Sequence, residues 1–270
     1  MRVFWIVAAV VLGAVWVGWL FQEFIFQLFD IPWKSELLGQ LGDTFGALNA
    51  LFSAFAFVAV LYTLKHQRDD LARQQLQIDD AALDQHLQRF ERTFYELLRL
   101  LREARDEVEY RYSENYEGGS RQRESDYGTQ VNGAQAFKRA QFELKYWVET
   151  HLVHKETISG QEVAEIYTKF VHSRYESSFA PYYRLLYTIL LRVKSDQKLK
   201  PAEKRFYGNL LRSQLTSHEV ALCCYNGLAS YSGSFKTLIE AFRLPKYLPE
   251  EFGRSLLKMH YPESAFAGRD

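Results

Sequence analysis

Six polar residues stand among aromatic neighbours in the C-terminal part of this 270-residue chain: Arg184, Arg212, Gln214, His218, Glu219 and Asn226, interspersed with Tyr182, Tyr183, Tyr187, Tyr207 and Tyr225. A polar group in apolar surroundings is paired or costs about 1–3 kcal/mol. The six residues therefore either form an internal hydrogen-bond network that fixes helix register or line a cleft that recognises a ligand or partner. His218 and Glu219 are not a catalytic dyad by adjacency, because neighbours on a helix point apart, and Arg184, Arg212, His218 and Glu219 are the candidates if the chain is an enzyme. The chain has no P-loop, no G-x-S-x-G, no H-E-x-x-H and no paired C-x-x-C. The expectation is a non-enzyme that needs no cofactor. His151 and His154 are three apart and can share a helix face, and with His172 or His218 they could approach a metal. No acidic cluster or cysteine completes such a set, so no metal is expected. Cys223 and Cys224 are adjacent and read as free, buried thiols rather than a disulfide framework.

The elements that must carry these residues are helical. Residues 134–153 have a helical apolar spacing through Phe137, Phe142, Leu144, Tyr146, Trp147 and Val148. Residues 159–171 open with Ser159 and Glu162, the spacing of a capping box. Residues 182–193 are strongly apolar, and 201–215 begin on Pro201 with Glu203 in the first turn. Residues 217–228 and 235–242 complete the set, and Pro245, Pro249 and Pro262 make the tail irregular. No convincing alternating strands are present, and the fold class is all-α: an N-terminal two-helix transmembrane hairpin, a long stalk helix and a C-terminal cytoplasmic helical domain.

Upstream, Leu76, Leu83, Phe90, Leu97 and Ala104 repeat every seven residues, with Leu87, Phe94, Leu101 and Val108 at the second position and Asp80 as the main break. This spacing predicts a coiled-coil stalk or a long bundle helix over residues 65–110, whose aromatic second half joins the globular core. A coiled coil implies oligomerisation and a bundle helix does not. Residues 111–135 hold four glycines and many polar residues and read as a flexible loop, in which Tyr112, Tyr116 and Tyr127 are contact candidates. The cytoplasmic domain proper then occupies 136–270.

Residues 1–64 have a different chemistry. Residues 3–22 contain no charge over twenty positions, and residues 44–64 none over twenty-one. At about 1.5 Å per residue each run makes a helix of about 30 Å, the thickness of a bilayer's hydrocarbon core. No cleavage site suited to a signal peptide follows the first run. Arg2 precedes the first span and Lys65, Arg68 and Arg73 follow the second, whereas Lys34 in the connection is offset by Glu23, Asp30 and Glu36. The basic residues predict both termini on the cytoplasmic side, with Phe29 and Trp33 near the outer headgroups. The second span carries Gly42, Gly46, Ala50 and Ala54 at four-residue spacing, with Asn49 and Ser53 on or beside that face. Small residues so spaced let helices approach closely in lipid, either against the first span or between copies. The mean hydropathy of −0.27 averages this anchor with a polar body. Residues 65–270 carry 31 Lys and Arg against 29 Asp and Glu, which argues against broad electrostatic binding of nucleic acid.

Several segments in consistent order resemble the AbiC-like family of phage abortive infection membrane proteins. They are Gly42-Asp43-Thr44-Phe45-Gly46-Ala47-Leu48-Asn49, continuing through Leu61-Tyr62-Thr63-Leu64-Lys65-His66-Gln67; Phe90-Glu91-Arg92-Thr93-Phe94-Tyr95-Glu96-Leu97-Leu98; Gly133-Ala134-Gln135-Ala136-Phe137; Tyr183-Arg184-Leu185-Leu186-Tyr187-Thr188-Ile189-Leu190; and Leu211-Arg212-Ser213-Gln214-Leu215-Thr216-Ser217-His218-Glu219 with Tyr225-Asn226. The resemblance implies a bacterial inner-membrane defence protein that is triggered by infection and arrests or kills the cell before phage release. It also implies a neighbouring defence partner, such as a reverse transcriptase and its nucleic acid, since relatives of this two-span layout look like effectors of such systems. Three functions follow as expectations. The first is a membrane-acting, oligomeric effector assembled through Gly42, Gly46, Asn49, Ala50 and Ser53. The second is a membrane-tethered enzyme acting on nucleic acid, and the third a scaffold that recruits a partner to the membrane.

Overall fold

The computed structural model describes residues 10–11, 13–18, 21, 35–119, 128–153 and 157–268. Most of the first apolar run lies outside these residues, as do Phe29, Trp33, Tyr127 and His154. The chain divides into two compact units, Met1–Ile78 and Asp79–Asp270. Helix α1 (Ser35–Asp106) contributes to both.

In the first unit α1 contains no proline, and among the described residues its large apolar side chains are left exposed. Phe45, Phe52, Phe55 and Val58 are all more than 60% exposed. By length and composition this helix is able to cross a membrane, and none of its most apolar window is buried. Residues 10–11 and 13–18 are also helical and exposed. Among the described residues α1 is the single helix that meets this test, so the expected pairing of two spans falls largely outside them.

The second unit has an ordinary core. The later part of α1 buries Phe90, Phe94, Leu98 and Leu101 along one stripe. The heptad reading centres that stripe on Leu97 instead of Leu98. Leu97 packs at the edge of the core and Leu98 is buried, because the apolar face of a helix with 3.6 residues per turn drifts by about 20° per heptad. The segment after α1 forms a ribbon that the sequence does not reveal: β1 (Glu109–Tyr110) pairs antiparallel with β2 (Val131–Asn132), Tyr110 opposite Val131. Strands this short show no alternation to read. Between them lies α2 (Glu114–Gly119). Tyr112 and Tyr116, contact candidates by sequence, are buried in the core, and Tyr116 meets Tyr146 edge-on at 5.2 Å.

All-α architecture accounts for the rest. Helix α3 (Ala134–Leu152) is followed by α4 (Gly160–Tyr167), whose capping box is present: the Glu162 amide donates to Ser159 Oγ at 3.2 Å, and the Ser159 amide to Glu162 Oε2 at 2.8 Å. A π-helical turn, Thr168–His172, leads into α5 (Ser173–Ser195). This helix begins at Ser173 rather than at residue 182, and Pro181 lies inside it, without the N–H that would bond back one turn. Pro201 opens α6 (Pro201–Arg212) as expected. Helix α7 (Ser217–Leu228) is buried along nearly its whole length and packs against α3, α4 and α8 (Phe235–Ala241). Short turns and α9 (Arg254–Lys258) form the tail, where the Arg254 guanidinium donates to the carbonyls of Pro245, Lys246 and Leu248 at 3.2, 2.9 and 2.9 Å.

One carboxylate organises the packing of α3. Glu143 is fully buried and accepts hydrogen bonds from Tyr110 Oη at 2.8 Å, Ser113 Oγ at 2.5 Å and Trp147 Nε1 at 3.3 Å, and it pairs with Arg174 Nη1 at 3.0 Å. A buried charge is tolerated only when it is paired and its lone pairs are satisfied. Here those partners join the ribbon, α3 and the start of α5.

Candidate functional site

The π turn is where the helical ladder of α4 and α5 changes register. Such turns occur within longer helices and are frequent at functional sites. Three residues on, Tyr175 departs from helical geometry at φ −133°, ψ 30°. The register change brings the His172 ring parallel to Tyr231, with centroids 4.4 Å apart. Tyr231 sits in the single turn Ser230–Ser232 that follows α7.

Beside this pair lies a cavity of about 640 Å³, walled by α5, the end of α7 and the start of α8. That volume is in the range of small-molecule sites. Its apolar lining is aromatic: Tyr183, Tyr187, Tyr231 and Phe235. Tyr187 Oη and Ser234 Oγ are 2.8 Å apart, which fixes one wall. Tyr167 Oη donates to Tyr183 Oη at 3.3 Å, and burial raises the pKa of both phenols, so they stay protonated. At the mouth, Arg184 Nη2 approaches Glu176 Oε1 at 3.4 Å with its side chain 74% exposed.

Two residues that line this cavity each hold a buried polar atom without a partner. Asn226 is 6% exposed and its Oδ1 makes no hydrogen bond; the Nδ1 of His172 is also buried without one. Burial lowers the His172 pKa, with Glu176 acting against it, so the ring is held neutral to lower pH than an exposed imidazole. A buried, unsatisfied polar atom costs about 1–3 kcal/mol. Two beside one cavity mark it as a place where a ligand can supply what the fold does not.

The structure separates the six polar residues read from the sequence. Arg184 and Asn226 line the cavity. Glu219 is structural: it forms a capping box with Thr216 and accepts from Tyr182 Oη at 2.7 Å. The T-x-x-E spacing that announces this role is present in the sequence at Thr216 and Glu219. His218 lies 3.3 Å from Gln141 Oε1 and edge-on to Phe252. Arg212 donates to the carbonyls of Phe242 and Arg243 at 3.3 Å, closing the end of α8, and lies over the Tyr247 ring. Gln214 accepts from Arg102 Nη2 at 2.8 Å. Glu176 and Tyr231 belong to the cavity and carry no sequence signal, whereas His172 is named from the sequence only as a possible metal ligand and Tyr187 only as an aromatic neighbour; a π turn has no sequence spacing of its own. Glu143 carries a clearer signal: it occurs on the same apolar face as Phe137, Ala140, Leu144 and Val148.

Cys223 and Cys224 are free and buried, and burial raises both thiol pKa values, which leaves them unreactive. Among the described residues no group of three or more His, Cys, Asp or Glu could hold a metal ion. His151, which does belong to them, directs Nδ1 at the Trp147 carbonyl, 2.7 Å away.

Neither the curated proteins nor the solved structures contain a match to this chain. The segment Gly42–Asn49 lies outside the matched residues. Residues 174–252 match the family described as putative phage abortive infection protein, the family the sequence resembles, and this segment includes every residue named above as lining the cavity except His172.

Proposed function

We propose that the chain is a membrane-anchored antiphage effector of abortive infection. In this reading the helical unit faces the cytoplasm of a bacterium and receives a sign of infection, or a defence partner such as a reverse transcriptase with its nucleic acid, at the cavity of His172 and Asn226. A change of packing there passes through α1 to the inner membrane, where copies associate through Gly42, Gly46, Asn49, Ala50 and Ser53 and arrest or kill the cell. Both termini are cytoplasmic, as the basic residues around the spans favour.

The observation that carries the reading is the overlap between the family match and the wall of the cavity. The exposed apolar part of α1 supports the membrane half, because exposed apolar surface on this scale needs a cover. A Cβ added at Gly42 or Gly46 meets nothing within 4 Å among the described residues, so that face is open to a neighbouring helix.

The test is Gly46→Leu in the full chain. The expected result is a protein that still sediments with the membrane but no longer arrests growth or protects the culture under phage challenge. Arrest and protection equal to the wild type would rule out assembly through this face.

A further inference from the structure

The cavity beside α5 has a more specific chemistry than a generic pocket. Asn226 presents a carboxamide, and its Oδ1 requires a donor that no protein group supplies. A carboxamide offers one acceptor and two donors in a plane. The complementary edge is one with an amino donor next to a ring-nitrogen acceptor, as adenine has at N6 and N7. A ligand bound edge-on to Asn226 also needs flat apolar walls. Tyr183, Tyr187, Tyr231 and Phe235 provide them, and aromatic rings are the side chains on which nucleobases stack.

The mouth carries one exposed cation and one anion. Arg184 touches Glu176 through a single long contact of 3.4 Å, and a guanidinium held that loosely can turn to a phosphate, for which its forked donors are suited. Glu176 is then left as an acceptor for sugar hydroxyls. Asn226, Glu176 and Arg184 line the same cavity, so base, sugar and phosphate each have a residue of matching character there.

We propose that this cavity binds an adenine nucleotide, with the base edge on the Asn226 carboxamide between the tyrosines and the phosphate on Arg184. The inference rests on the cavity being the input site of the proposed effector. The same base contact can be supplied by a free nucleotide or by an adenine in single-stranded nucleic acid.

The experiment is calorimetric titration of the full chain in lipid nanodiscs with AMP, adenosine, GMP and a short oligo(dA). The expected result is binding of AMP at least tenfold tighter than GMP. Arg184→Gln, at an exposed position that does not threaten the fold, should weaken AMP about tenfold and leave adenosine unchanged. Asn226→Asp, which removes the amide donor, should weaken both by tenfold or more, with a thermal melt confirming that the variant is folded. Binding of oligo(dA) without AMP would keep the base contact and assign the ligand to nucleic acid. Equal affinity for AMP and GMP, or no binding of any of the four at millimolar concentration, would overturn the proposal. If the nucleotides fail but Arg184→Gln and Asn226→Asp still abolish phage protection, the ligand class alone is wrong. If protection survives both substitutions, the cavity is not the effector's input site.

Discussion

Helix α1 passes through two environments, and the contrast between them is the most useful fact about the molecule. Near Phe52 and Phe55 its large apolar side chains are exposed, and near Phe90 and Phe94 side chains of the same type are fully buried. The apolar residues are of the same types in both stretches, although the Phe90 stretch also carries Arg89, Glu91, Arg92 and Glu96. What differs is the supply of partners. Around Phe94 the chain provides Tyr207, whose ring lies 5.0 Å away, together with the rest of the core. None of the described residues covers Phe55, which is 63% exposed. Burying such a side chain is worth about 1.5–3 kcal/mol, so an exposed apolar run of this length marks a surface suited to an apolar cover.

The same contrast holds for polar groups. The second unit buries Glu143 and Glu219 and gives each a set of hydrogen bonds, whereas the stretch from residue 44 to 64 contains no charge to bury. A protein core tolerates a paired carboxylate, and a bilayer selects against one.

Three changes would break or sharpen that comparison. The largest effect is expected from Glu143→Ala, which strands the Arg174 cation and the Tyr110 hydroxyl beside a void. The loss should be about 3–5 kcal/mol, read as a lowered midpoint in denaturant for the second unit's cooperative transition. A cost under about 1 kcal/mol would show that solvent reaches this site. Phe55→Arg comes next: a cation at the centre of the apolar run should disfavour insertion by about 3 kcal/mol and shift protein from the membrane to the soluble or aggregated fraction on cell fractionation. The same substitution would leave fractionation unchanged if the helix merely awaited a protein partner.

The smallest effect is that of mild acid on the second unit. Burial lowers the pKa of His172, of His218, where Lys138 adds to the effect and Glu251 opposes it, and of His260, where Lys236 adds to it. A histidine whose folded pKa lies below its unfolded value of about 6.5 binds its proton first in the unfolded chain. Stability is therefore complete above pH about 6.5 and declines as pH falls through the folded values. Thermal melts of the full chain at about pH 7.5 and at about pH 5.5, about one unit below the ordinary imidazole value, should show a lower midpoint in acid. His172→Phe should reduce the difference.

How much of this was legible in the sequence depends on range. Local signals read well: the capping box at Ser159 and Glu162, the helix opening at Pro201 and the helix over Ser217–Leu228 all occur where spacing places them. Signals that depend on distant partners did not. The polar cluster divides because helices carry Arg184 and Asn226 to one cavity and Arg212, Gln214 and His218 to separate contacts, and one-dimensional spacing holds no record of that. The ribbon of Tyr110 with Val131 pairs residues 21 positions apart through two-residue strands, too few to set up a pattern. The π turn at Thr168–His172, which builds the cavity, has no characteristic composition at all.

The most direct test of the account is the membrane potential of infected cells, followed with a voltage-sensitive dye in a bacterium expressing the full chain and, beside it, one expressing Gly46→Leu. The account predicts depolarisation before lysis with the wild-type chain and a maintained potential with the variant. Growth arrest with an intact potential in the wild type would contradict action at the membrane and place the activity in the second unit.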